Sequence, residues 1–289
     1  MSIIINHYGG FFSCCSVKLE TIINYINNNK RYPHKVDSSK LFMMYNPNKE
    51  LDITHDFFEI PNNSEYINKN IGTRHNVLRN RVLRNRVLRN RVLRRNLYKN
   101  IEIDFKNCYQ FDPYNKLDFI NICPILNKYF KPCERIITTI DSIIKKYDIC
   151  YDNCIALYYR GTDKISETKI DSFESFYKKL YEIINIIKNE NIKILIQTDT
   201  SQFLDYIKSK NINNLIIVDE IKSSYTDKGV HNEKTKLENY NDITYLLSTM
   251  LIISKCKYVI CSSGNVSIFT IMYRGNSENV YQNLNLNWV

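Results

Sequence analysis

Cys154-Ile155-Ala156-Leu157-Tyr158-Tyr159-Arg160-Gly161-Thr162-Asp163-Lys164 is six uncharged residues running into a cluster of charge. A short continuous apolar run of this kind reads as a strand covered on both faces. Arg160, Asp163 and Lys164 arrive where that strand must leave its sheet. In open parallel α/β sheets, ligands bind just beyond the carboxyl ends of the strands. A guanidinium at such a place suits a phosphate, to which it can donate two parallel hydrogen bonds. The same residues would also make a plain surface turn closed by an Arg–Asp pair.

Downstream of this stretch, strands and helices alternate. Helical periodicity over Phe173–Lys188 places Phe176, Leu180, Ile183, Ile184 and Ile187 on one face. Ile192–Gln197 reads as a strand with Asp199 just past its end, and Ser201–Lys208 as a short helix. Leu215–Val218 is a strand, and a polar loop from Asp219 to Glu238 carries His231. Tyr240–Ser254 is a helix, Tyr258–Cys261 a strand, Ser262-Ser263-Gly264 a turn of small residues, and Asn265–Arg274 a last helix. Strands alternating with helices of this length predict a doubly wound parallel sheet.

Upstream the pattern is looser. Ile3-Ile4-Ile5-Asn6 predicts a strand, the Gly9-Gly10 turn follows, and Cys14–Asn27 has helical spacing. Strand, glycine turn and helix open a Rossmann-like half. The dinucleotide fingerprint G-x-G-x-x-G is absent, so Gly9 and Gly10 fit a ligand-approach turn and an ordinary tight turn equally. Further strands are expected at Leu41–Tyr45, Ile101–Phe105 and Phe119–Ile122, and a helix at Cys133–Tyr147 opened by Pro132. These readings divide the chain into an N-terminal acceptor-side domain, 1–132, and a C-terminal domain, 133–289. The fold class is α/β, with two Rossmann-like domains facing a cleft.

The net charge of +10 has one source. Nine arginines lie in residues 74–96 with no acid and no lysine, and removing them leaves +1. Within that tract, Val-Leu-Arg-Asn-Arg repeats three times from Val77 and is followed by Val92-Leu93-Arg94-Arg95-Asn96. Five residues advance a helix by about 500°, so the Val-Leu pairs circle the axis and build no apolar stripe. An odd period flips faces on a strand as well. The tract reads as an expanded surface insertion. The rival is a basic arm for nucleic acid or an anionic membrane, although it lacks the interleaved aromatics of single-strand binders.

Nine cysteines, none in a C-x-x-C pair, give no zinc spacing and point to reduced, mostly buried thiols. No segment approaches the roughly 20 apolar residues of a membrane span, and Ile3-Ile4-Ile5 is too short for a secretory core. The expected location is the cytoplasm.

Three strand ends therefore point to one edge: Arg160 to Lys164, Thr198-Asp199, and Ser262 to Asn265. The last enters a helix N-terminus, which offers free N–H groups and partial positive charge. Together they suit a pyrophosphate. Asp199 would orient the charged turn, bind a ribose hydroxyl, or cap the helix after it. Ser263 would cap its helix and touch phosphate.

These residues resemble motifs of the α1,6-fucosyltransferase and protein O-fucosyltransferase superfamily. Arg160-x-Thr162-Asp163-Lys164 looks like its first motif, and Ile194-Leu195-Ile196-Gln197-Thr198-Asp199 its second. Ile253 through Ser267 looks like its third, with Gly229-Val230-His231-Asn232 where members often carry Gly-x-His-Asn. The resemblance covers the C-terminal half. It implies a GT-B fold and an inverting, metal-independent transfer of a sugar, possibly fucose, from a nucleotide diphosphate sugar such as GDP-fucose. The acceptor would be a glycan or protein, and no cofactor beyond the donor is implied. By resemblance Arg160 holds the β-phosphate, Asp163 and Lys164 fix the loop, Asp199 supports it, and Ser262, Ser263 and Gly264 touch the phosphates, with Asn265 following. Glu167 and His231 are the candidate bases. The chain departs from the pattern at Gly161, where a second arginine is usual, at Thr249, where an acid is usual and Asp242 is the nearest, and at Lys257, where Asp is common. Those departures leave open a non-catalytic binder of nucleotide sugars or glycans on the same fold, and the arginine tract leaves open a nucleic-acid binder.

Overall fold

The computed structural model describes residues 2–47, 52–61, 102–162, 167–226, 228–232 and 234–289. The arginine tract, Asp163 and Lys164 lie outside them.

A sheet of six strands forms the centre, in the order β5-β4-β3-β6-β7-β8. The strands are β3 (Cys154–Tyr159), β4 (Lys193–Thr198), β5 (Leu215–Ile217), β6 (Tyr258–Ser262), β7 (Val280–Leu284) and β8 (Asn287–Trp288). All neighbours are parallel except β7 and β8. The opening stretch is the middle strand, and all six of its residues are buried, as an uninterrupted apolar run requires. From β3 the chain winds one way through β4 and β5, then returns to place β6 on the other side. The switch point thus lies between the carboxyl ends of β3 and β6.

Both faces are covered. On one, α4 (Phe173–Ile187) and α5 (Ser201–Ser209) pack through Phe176, Leu180 and Phe203, with Tyr159 stacked on Phe203 at 4.3 Å. On the other lie α3 (Glu134–Tyr147), α6 (Lys236–Lys255) and α7 (Asn265–Arg274). The helix α6 begins at a full capping box of Thr235 and Glu238, a T-x-x-E signal that moves its start four residues before the expected Tyr240. In α7 the residues from Val266 to Met272 are all buried, because other helices surround it.

The N-terminal half supplies two of those helices. β1 (Ser2–Asn6), α1 (Phe11–Asn29) and β2 (Lys35–Lys40) form a parallel βαβ unit. α1 packs on α7, as does α2 (Phe119–Tyr129). One hydrophobic core runs from Ile5 through Phe57 and Phe130 to Met272, so the two halves share an interior.

Several N-terminal expectations are corrected. The second strand is Lys35–Lys40, not Leu41–Tyr45. It is mostly polar because only Ser38 of it is buried, while Leu41, Phe42 and Tyr45 enter the core from a turn with Phe42 at φ 59°. Phe119–Ile122 opens α2, whose N-terminus Asp118 caps through the N–H of Asn121. Residues 102–105 form no strand. The amide of Asn27 takes both backbone groups of Ile103, at 2.9 Å each, the place a neighbouring strand would fill. The C-terminal pair β7–β8 was not expected at all. It closes through Asn285 and Leu286 at φ 49° and 69°, a hairpin turn built without glycine.

Candidate active site

The strand ends lie side by side. Tyr158 is in register with Gln197 on one side and Cys261 on the other. Just past them the backbone N–H of Arg160 donates to Oγ of Ser262 at 3.0 Å, which stitches β3 to β6 across the switch point.

Asp199 organises the charged turn. Its carboxylate accepts from the Gly161 N–H at 2.9 Å, Thr162 Oγ1 at 2.7 Å and Thr200 Oγ1 at 3.0 Å. Nε of Arg160 lies 3.2 Å from it. The capping alternative for Asp199 is excluded: the N-cap of α5 is Thr200, and no side chain caps that helix. Thr162 takes φ 37°. A β-branched residue is strained there, and such strain persists only where neighbours over-determine it. At Gly161, where the resemblance leads to a second arginine, a Cβ would lie 2.2 Å from Thr200 Oγ1 and 3.2 Å from Tyr159 Cε1, so a side chain here requires Thr200 to shift.

The small residues after β6 are used structurally, which corrects part of their expected role. Ser263 does not cap α7. Its hydroxyl donates to the carbonyl of Asn283 at 2.7 Å and accepts from Gln282 Nε2 at 2.9 Å. The N-cap is Gly264 at φ 152°, and its N–H donates to Tyr114 Oη at 3.0 Å. Asn265 Oδ1 accepts from Ser16 of α1 at 2.7 Å. The N–H groups of the first turn beyond Gly264 have no intrahelical acceptor, and they carry the helix's positive end.

These parts border one cavity of about 360 Å³, within the usual range of ligand sites. Its lining includes Tyr158, Arg160, Gln197, Asp199 and residues 263–266, His7 through Ser13 with Tyr45, and His231, Asn239 and Asp242. Two helix N-termini, α7 and α1, therefore face the same space. Gly9 and Gly10 are among the lining residues, and a Cβ on Gly10 would stand 3.9 Å from Tyr45 Oη and 4.0 Å from His231. Glu167 lines the cavity from an exposed position. Asp163 and Lys164 fall outside the described residues.

The sequence reading missed His7, Ser13, Tyr45 and Lys222, which line the cavity, and Tyr114, which holds Gly264. Tyr45 Oη accepts the Phe11 N–H at 2.9 Å and so caps α1 from a distant turn. Burial pushes its phenol, and that of Tyr114, well up from the ordinary value, so both stay protonated at neutral pH. No local pattern marks such long-range caps. Of the other departures, Thr249 is fully buried in α6 and away from the cavity, whereas Asp242 lines it and pairs with Lys234. Lys257 precedes β6, at the opposite end of the sheet. Among the described residues, no cluster of three His, Cys, Asp or Glu could hold a metal ion.

No family model matches the chain, and no curated protein matches it. Solved structures do. The chain is similar to a crystal structure of NodZ alpha-1,6-fucosyltransferase co-crystallized with GDP, with a TM-score of 0.54 at 15% identity over 94% of this chain and 91% of that one. A Se-Met crystal of fucosyltransferase NodZ from Bradyrhizobium gives a TM-score of 0.48 at 14% identity, again over 94% and 91%. At such identity the first likeness establishes the fold: an α/β chain of GT-B type, whose two halves face a shared cleft.

Proposed function

We propose that this chain is a glycosyltransferase that transfers a sugar, possibly fucose, from a GDP-linked donor to a glycan or protein acceptor with inversion. The observation that carries the proposal is the placement of Arg160 at the switch point, in one cavity with the N-terminus of α7. A leaving diphosphate gains negative charge as the glycosidic bond breaks. A fixed guanidinium and oriented N–H groups stabilise that charge without reorganising, worth on the order of 3 kcal/mol per donor. Asp199 holds the turn in place, so the guanidinium is aimed before the ligand arrives. By the resemblance Asp163 and Lys164 would fix the loop, Ser262 and Ser263 hold the frame, and His231 lines the same cavity. The GDP in the similar crystal supports a guanine nucleotide as the first to test.

The test is a binding screen of GDP, UDP, ADP and dTDP by calorimetry and thermal shift, with and without a chelator. GDP is expected to bind most tightly, with equal affinity in chelator. Arg160→Ala should weaken GDP binding and slow GDP release from GDP-fucose about 100-fold, with the melting temperature within a few degrees of wild type. Unchanged turnover in that variant would refute the phosphate role. Glycine at 161, where the resemblance leads to a second arginine, favours one rival, a binder that holds the nucleotide sugar and never transfers it. That rival predicts GDP binding with no GDP release from GDP-fucose.

A further inference from the structure

His7 and Ser13 form a pair in the cavity that phosphate binding does not explain. His7 follows β1, and its Nε2 lies 3.0 Å from Oγ of Ser13 in the first turn of α1. Both side chains border the cavity. The turn between them is shaped around the pair. A Cβ on Gly9 would stand 2.9 Å from His7 Nε2 and 3.5 Å from Ser13 Oγ, so glycine leaves the space into which the imidazole folds. Beneath it the buried thiol of Cys14 points to the carbonyls of Gly9 at 3.5 Å and His7 at 4.0 Å. A hydroxyl held against an imidazole at a helix N-terminus is the arrangement that activates a hydroxyl for proton transfer.

We propose that His7 and Ser13 are the relay that removes the acceptor's proton. The inference rests on the sugar-transfer reading. Inversion requires a base within reach of the acceptor hydroxyl, and the pair borders the same cavity as Arg160 and the N-terminus of α7. The acceptor hydroxyl gives its proton to Ser13 Oγ as Ser13's own proton passes to His7 Nε2. The acceptor oxygen bonds to the anomeric carbon, the bond from that carbon to the β-phosphate oxygen breaks, and its electron pair leaves on the diphosphate. Two other candidate bases line the cavity. Glu167 is exposed and also borders a separate groove beyond the turn. His231 lies with its ring 6.4 Å from that of Tyr45.

The test uses GDP-fucose as donor and compares two nucleophiles, water and azide. Azide has no proton to lose. His7→Ala and Ser13→Ala should bind GDP within threefold of wild type and release GDP with water as acceptor at least 100-fold more slowly. Azide should restore release at least tenfold in each. The double variant should be no slower than either single one. His7→Gln keeps a polar group beside Ser13 but accepts no proton, and it should behave as His7→Ala if the smaller residue disturbs folding. A wild-type rate in His7→Gln, or equal losses with water and azide while GDP still binds, overturns the relay. Wild-type protein that binds no nucleoside diphosphate would remove the underlying reading first, and the relay with it.

Discussion

A single atom sets the shape of the charged turn: Oγ1 of Thr200, 2.2 Å from where a side chain on Gly161 would begin. Gly161→Ala should therefore push Thr200 off Asp199 and destabilise the protein by about 1–3 kcal/mol. Thr200→Ala removes the obstructing atom, and in that background the Gly161→Ala cost should fall below about 1 kcal/mol. Urea unfolding of the four proteins measures the coupling; additive losses would show that the contact does not constrain position 161. Lys18 gives a second residue-scale prediction. It is 3% exposed, and its ammonium lies 5.3 Å above the Phe130 ring. Burial lowers its pKa from 10.5 to about 8, against the opposing pull of Cys15 and Asp52. Below pH 8 it is charged in both folded and unfolded chains, and burying that charge costs stability in full. Between 8 and 10.5 only the unfolded chain holds the proton, so the penalty shrinks as pH rises and ends above 10.5. Lys18→Met should stabilise the protein at pH 7 by at most about 3 kcal/mol. The gain should fade as the melt is repeated up to pH 10.5, and a gain independent of pH would contradict it.

At the scale of elements, α7 is aimed by groups remote in sequence. Tyr114 takes the Gly264 N–H, its own N–H donates to Gln282 Oε1 at 2.9 Å, and Gln282 Nε2 reaches Ser263. Tyr114→Phe leaves the buried Gly264 N–H unpaired, a cost of about 1–3 kcal/mol, and frees the end of the helix. GDP affinity should fall together with melting temperature; a stability loss with unchanged affinity would separate the clamp from the site. This scale also shows how far the sequence could be read. The run from β3 to α7 was legible because fully buried strands and amphipathic helices have distinct periods, and strand ends of such a sheet collect at one edge. Arg160 and Asp199 followed from that alone. β2 and β7 were not legible, since short, largely polar strands leave no apolar run. The capping role of Ser263 was misread because its partner, Asn283, comes from a segment no local pattern connects to it, and Gly264 is the N-cap instead.

Across the whole molecule, the shared core from Ile5 to Met272 makes the N-terminal half a structural part of the sheet's helical layer. Thermal unfolding should give one transition by both fluorescence and circular dichroism, and two separated transitions would show that the halves are independent. The arginine tract carries almost all the net charge. Deleting residues 74–96 should leave GDP binding unchanged and abolish any salt-sensitive binding of nucleic acid; loss of GDP binding would tie the tract to the cavity. The tight contact between positions 161 and 200 also ties the two positions together in any search through sequence. A side chain begun at 161 meets Thr200 Oγ1 at 2.2 Å, so what one position tolerates depends on what the other holds. Mutational libraries built on this chain will explore position 161 fully only when they vary both sites at once.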